Sequence, residues 1–162
     1  MHGYEMAHYF GAEELGEVCP IDQGSLYTYL RNVEDRALVS YHETRVGQRP
    51  PRKVFHLLPE GAAAVEAWLH APVERMRAVR LDFLLKVYFL HQMNPAAELR
   101  LVAGQIAVCR AYEQRLAARS LTAKGFDRLV TMSKLSAAAG TLGWLCEYRD
   151  ELEGTALAEG TR

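Results

Sequence analysis

Apolar residues recur along this chain with two periods, and the change from one to the other outlines the architecture. Met6, Phe10 and Leu15 recur loosely between Gly3 and Glu17, predicting a short amphipathic helix punctuated by Gly16 and Pro20. Leu26, Tyr29 or Leu30, and Val33 then recur at helical spacing behind Asp22. A carboxylate at that position suits an N-cap, so a second helix is expected from Asp22 to about Arg36. Next the period shortens to two. Leu38–Glu43 and Arg52–Leu57 both alternate and are rich in β-formers. The polar run Thr44–Pro51 between them holds Gly47, Pro50 and Pro51, so an antiparallel hairpin with a long tip is the expectation. Pro59-Glu60-Gly61 opens another helix through Trp68 and Leu69, since proline's missing N–H would have no partner in a first turn.

Beyond Ala71-Pro72 the pattern is helical throughout. Arg75–Met93 carries one apolar stripe of Leu81, Leu84, Leu85, Tyr88 and Phe89 and a second of Phe83, Val87 and Leu90, so it needs partners on two sides. Asn94-Pro95 stops it. Ala96–Arg119 repeats Leu99, Val102, Ile106, Cys109 and Leu116, and Phe126–Leu152 has a seam of Leu135, Ala138, Leu142, Leu145 and Leu152. Gly140-Thr141-Leu142-Gly143 favours close helix approach. The expected fold is mainly α. Residues 1–70 read as a winged helix-turn-helix with a two-stranded β wing, and residues 71–153 as an all-α dimerisation domain. Residues 154–162 read as a disordered tail. A homodimer is expected because the later helices carry more apolar surface than one protomer's helices can cover.

Composition narrows the class. The 162 residues are 49% hydrophobic and 24% charged, with 19 Lys+Arg against 20 Asp+Glu. Such a balance excludes a strongly basic coat protein and a disordered chain. The longest nearly apolar stretch, Leu81–Met93, is too short to span a bilayer, and no signal-peptide pattern opens the sequence. Cys19, Cys109 and Cys146 are far apart, which fits reduced thiols in a cytoplasmic protein rather than disulfides or a zinc knuckle. No two of the six histidines are spaced as a helical metal site, and no Gly-rich phosphate loop or Gly-x-Ser-x-Gly elbow occurs. No enzyme activity, metal or cofactor is therefore expected.

Charge is unevenly placed. Residues 1–70 carry six basic and ten acidic side chains, yet the stretch from Thr44 to Pro59 holds Arg45, Arg49, Arg52 and Lys53 and no carboxylate. Such segregation suits contact with phosphates. In a winged helix the helix from Asp22 would enter the major groove, with Gln23, Ser25, Thr28 and Arg31 able to reach base edges or phosphates. The acidic background favours another use, a winged-helix module that makes only protein contacts.

A family resemblance joins these segments. His2-Gly3-Tyr4-Glu5-Met6, Gly24-Ser25-Leu26-Tyr27-Thr28-Tyr29-Leu30-Arg31, Glu34, Leu38-Val39, and Arg52–Leu57 with Pro59-Glu60-Gly61 resemble, in order and spacing, the PadR family of bacterial transcriptional regulators. The long helical second half is similar to the larger PadR subfamily. The resemblance implies a dimeric regulator of double-stranded operator DNA, usually a repressor, released by a small-molecule effector. It assigns Gly24–Tyr27 to the start of the recognition helix, Tyr4 to the preceding helix, and Arg52 and Lys53 to the second wing strand. Three departures stand out. The family's helix ahead of the His2 motif is not in this sequence, Thr28 replaces a proline, and Leu58 replaces a threonine. Trp68, Phe83, Tyr88, Trp144 and Tyr148 are candidates for an effector pocket or for ordinary core and interface positions.

Overall fold

The two periods of the sequence become two kinds of packing. A computed structural model describes residues 1–11, 13–45, 47 and 51–159, with all their side chains except those of 13, 14 and 156–159. The chain divides into two units, Met1–His70 with Leu84–Tyr88, and Ala71–Phe83 with Phe89–Arg162. Residues 84–88 thus join the first unit, although the sequence pattern assigns them to the second.

The first unit comprises α1 (Gly3–Phe10), α2 (Glu13–Val18), α3 (Gln23–Asp35), the strands β1 (Val39–Thr44) and β2 (Arg52–Leu57), α4 (Pro59–His70), and the start of α5 (Leu84–Met93). The helix expected over Gly3–Glu17 is two helices. The Gly11 N–H closes α1 on the Ala7 and His8 carbonyls. α3 begins where Asp22 accepts from the Ser25 N–H at 3.0 Å, the cap expected from sequence. Its far end is a Schellman turn: Ala37 N–H donates to Glu34 O at 2.8 Å and Leu38 N–H to Val33 O at 3.0 Å. Ala37 sits there at φ 54°, a conformation that glycine adopts without strain. β1 and β2 pair antiparallel from Val39↔Leu57 to Thr44↔Arg52.

Leu26 and Leu30 of α3 are buried with Phe55 of β2, and Met6, Ala7, Phe10, Ile21, Val39 and Tyr41 close around them. The chain start extends the hairpin, with Phe55 N–H donating to Met1 O at 3.0 Å and His2 bridging Val54. α4 meets the hairpin at Gly61, where a Cβ would lie 2.0 Å from the Leu38 carbonyl oxygen. That oxygen already accepts the Leu58 N–H at 3.0 Å, so it cannot move away freely.

In the second unit, the helix expected over Arg75–Met93 starts as a 3₁₀ turn, Met76–Ala78, and a π-type turn, Val79–Phe83. Val79 and Phe83 are both fully buried. Spacing of four marks them as inward-facing, but it is equally compatible with a wider turn. α6 (Pro95–Ser120) and α7 (Gly125–Glu159) pack along their length. α7 continues past Leu152 to Glu159, which replaces the expected tail over 154–159. The run Ala156-Leu157-Ala158-Glu159 consists of strong helix formers, and one glycine at 154 does not outweigh it. Residues 160–162 lie outside the described residues.

Two buried polar side chains in this unit, Gln105 and Glu98, are paired. The Gln105 amide accepts the Val73 N–H at 2.6 Å and donates to the Val73 carbonyl at 2.9 Å. Fully buried Glu98 accepts from the Tyr148 hydroxyl and lies 3.1 Å from His91 Nδ1. Burial, then the bond to Glu98, push the Tyr148 phenol well above its usual range.

Two substitutions at the α3–hairpin–α4 junction should move stability in opposite directions. Ala37→Gly should raise it by about 1 kcal/mol in chemical denaturation, because it relieves the left-handed backbone. Gly61→Ala should lower it by about 1–3 kcal/mol or more through overpacking. Tyr148→Phe should cost about 1–3 kcal/mol at neutral pH by leaving the Glu98 carboxylate short of a donor. The Tyr148 contribution is present below the ordinary phenol range and fades as pH climbs towards the raised folded value. An unchanged denaturation midpoint for Tyr148→Phe would mean that Glu98 does not depend on this bond.

Candidate nucleic-acid interface

α3 has a buried side and an exposed side. At about 100° per residue, Leu26 and Leu30 point inward, leaving Gly24, Thr28, Arg31 and Asn32 on the outer face. Gln23 and Tyr27 share one flank, four residues apart, and both are exposed. Asn32 was not among the candidates from sequence, yet it lies one turn beyond Thr28 on the exposed face. A helical projection of α3 centred on the Leu26–Leu30 pair would have identified it. Asparagine amides suit bidentate contact with adenine.

Two of the expected base-reading hydroxyls are partly committed. Ser25 Oγ donates to Asp22 Oδ2 at 2.5 Å, and Thr28 Oγ1 donates to the Gly24 carbonyl at 3.1 Å. With their hydrogens engaged, both oxygens can still accept from outside, which suits a base amino group rather than a base carbonyl. The Ser25 hydroxyl, then its N–H, hold the Asp22 carboxyl below its ordinary value, so the cap remains anionic.

The residues singled out from separate segments meet beside α3. Tyr4, Tyr27, Arg52 and Lys53, with His2, Gly3 and Pro51, line a cavity of about 470 Å³. Tyr4 and Tyr27 are both exposed, and the missing side chain of Gly3 lets the Tyr27 ring come close. A Cβ there would lie 2.9 Å from the ring. Arg52 and Arg45 are exposed. Arg49 lies outside the described residues.

Lys53 differs from its neighbour. Its ammonium lies 3.6 Å from the centre of the Tyr41 ring, and Glu43 stands directly across the hairpin. Hydrogen bonding to Tyr41, with added attraction from Glu34 and Glu43, raises its pKa above the ordinary lysine value. The stretch free of carboxylates in sequence is therefore not free of them in space. The alternation of β2 sends Arg52 and Lys53 to opposite faces, and Arg52, which adds only a little to the lowering of the Glu5 carboxyl, is the less engaged of the two. On the Arg52 face, His42 and His56 lie 2.8 Å apart, a contact that sequence spacing did not reveal because it crosses the strands.

The five candidate pocket aromatics each have a partner, and Trp68 also lines an apolar cavity with Val33, Leu38 and Leu57. Trp68 lies under the Lys86 ammonium, with 5.2 Å to the ring centre, and Tyr88 packs edge-on to Tyr9. Phe83 contacts Trp144, and Tyr148 bonds to Glu98. Trp68 and Tyr88 belong to the first unit and the other three to the second. Among the described residues no group of three or more His, Cys, Asp or Glu side chains is placed to hold a metal.

Comparison with known proteins bears on residues 1–67, which match the family described as transcriptional regulator PadR-like. A curated relative, the negative transcriptional regulator PadR of Bacillus subtilis (strain 168), is 28% identical over 92 residues, 56% of this chain and 49% of that protein. The chain thus matches about half the length of this curated relative. Among solved structures, Bacillus subtilis PadR in complex with operator DNA is 24% identical, covering 94% of this chain and 91% of that one with a TM-score of 0.42. The same protein in complex with p-coumaric acid is 20% identical, with coverage of 94% and 88% and a TM-score of 0.41.

The contrast between the two wing cations gives a test on duplex DNA over a salt series. Arg52→Ala should flatten the salt dependence by about one unit in log K against log salt, the signature of one lost phosphate contact. Lys53→Ala should change it distinctly less. Equal slopes for the two variants would remove the distinction drawn from Tyr41, Glu34 and Glu43.

Proposed function

From the match of residues 1–67 to the PadR-like family of transcriptional regulators, we propose that this chain is a DNA-binding repressor whose α3 enters the major groove of an operator. The observation that carries this is the convergence of Tyr4, Tyr27 and Arg52 on one concave surface beside the exposed face of α3. Arg52 and Arg45 are assigned to backbone phosphates, and Gln23, Thr28, Arg31 and Asn32 to base edges. Ser25 serves mainly the helix cap. The negative sign is supported by the name of the curated relative. The match over residues 1–67 supports a regulator rather than an enzyme.

The proposed working form is a homodimer in the cytoplasm, released from DNA by a small-molecule effector. Phe126, Leu129 and Met132 lie exposed along α7 at helical spacing, an apolar strip that a second copy would cover. No helix among the described residues is long and apolar enough to cross a membrane.

The decisive measurement is selection of bound duplexes from a random library by the full chain, followed by titration at two salt concentrations. The expected product is a two-fold site with half-sites about one helical turn, ~34 Å, apart, bound by two chains. Affinity should fall steeply with salt. No enrichment and no salt-dependent binding would sink the DNA assignment. The acidic excess of residues 1–70 would then favour a winged helix that makes only protein contacts.

A further inference from the structure

The helical unit contains a cavity of about 410 Å³ that the interface above does not use. It is bounded by the turns over residues 76–80, by Tyr112 on α6 and by residues 133–141 on α7. Its size falls within the ordinary range for small-molecule sites.

Its charge is one-sided. Arg77, Arg80 and Lys134 line it, and no carboxylate does. Among the described residues none of the three takes part in an ion pair. The arrangement is unlike the other basic side chains of this unit that face acids, such as Arg119 on Asp127 and Arg149 on Asp150. Arg77, Arg80 and Lys134 are exposed and repel each other across one concavity, and an anion entering between them converts repulsion into attraction. A fourth cation, Arg115, lies 5.8 Å from the Tyr112 ring and adds to the positive potential.

The remaining wall says what the anion should be attached to. Met76, Ala137 and Ala138 supply apolar surface, and the Tyr112 ring offers an aromatic edge or face. Ser133 has a hydroxyl at the rim, whereas Thr141 already donates to the Ala137 carbonyl at 2.9 Å. Charge decides between two kinds of acid. A monocarboxylate would leave most of the positive charge uncompensated, while a phosphate monoester brings roughly two negative charges and three acceptor oxygens. Guanidinium forks suit those oxygens.

We propose that this cavity binds a small phosphorylated organic molecule, its phosphate held by Arg77, Arg80 and Lys134 and its apolar body against Met76 and the Ala137–Ala138 surface. The further assignment of this ligand as the effector rests on the repressor reading above. Binding itself does not.

Calorimetric titration of the full chain without DNA tests the site, with phenyl phosphate, phenylacetate, inorganic phosphate and 2-phenylethanol as probes. Phenyl phosphate should bind tightest, phenylacetate and inorganic phosphate more weakly, and 2-phenylethanol not at all. Arg77→Gln and Lys134→Gln should each weaken phenyl phosphate by at least about tenfold, the scale of a lost charged hydrogen bond. Arg80→Lys should keep most of it, and circular dichroism checks that each variant folds. No binding of phenyl phosphate at millimolar concentration, equal binding of phenylacetate, or indifference to Arg77→Gln and Lys134→Gln would overturn the site. Phenyl phosphate that binds but leaves duplex affinity unchanged would overturn the effector assignment alone. A chain that binds phenyl phosphate but no duplex would overturn the repressor reading and leave the site standing.

Discussion

Burial of Leu26 and Leu30 against Phe55 is the constraint on which the rest of the N-terminal unit depends. It fixes the rotation of α3, and with it the set of side chains left outside. Phe55 belongs to the second hairpin strand, so the same contact sets where the wing stands relative to that helix. Met1 extends the arrangement by pairing with Phe55, which brings His2, Gly3 and Tyr4 to the edge where Arg52 emerges. A surface assembled from residues far apart in sequence is thus a by-product of one apolar cluster. Fully burying side chains of this size contributes about 1.5–3 kcal/mol each, far more than any single polar contact on the exposed face.

Much of this was legible in the chain. The period of Leu26, Leu30 and Val33, the alternation of the two strands and the Asp22 cap fixed the helix–hairpin order, and Pro59-Glu60-Gly61 placed α4. Features that depend on hydrogen-bond pattern rather than apolar spacing were not legible. The division of the first helix at Gly11 and the π-type turn at Val79–Phe83 belong to that group. α7 outruns its expected end because the helix propensity of the residues past Gly154 outweighs their polarity.

The candidate site was legible as a list but not as chemistry. Composition distinguishes neither Arg52 from Lys53 nor a free hydroxyl from one already donating, because both distinctions arise from strand register and local turns. Asn32 was missed for a related reason. It sits among polar residues that look alike until the buried face of α3 is known. The aromatic residues were grouped by type, whereas burial and pairing separate them between two units.

The pairing of Lys53 with Tyr41, Glu34 and Glu43 bears on how a protein of this kind would move among DNA sites. With one wing cation occupied internally and an acidic excess around it, little charge remains to hold the domain on an arbitrary stretch of duplex. One-dimensional sliding needs such a hold. Its weakness would favour brief encounters and frequent escape into solution, so that target search would proceed by hops between distant segments. If the proposed interface is right, dwell time would then discriminate between sites, and only a duplex that engages the outer face of α3 would retain the protein.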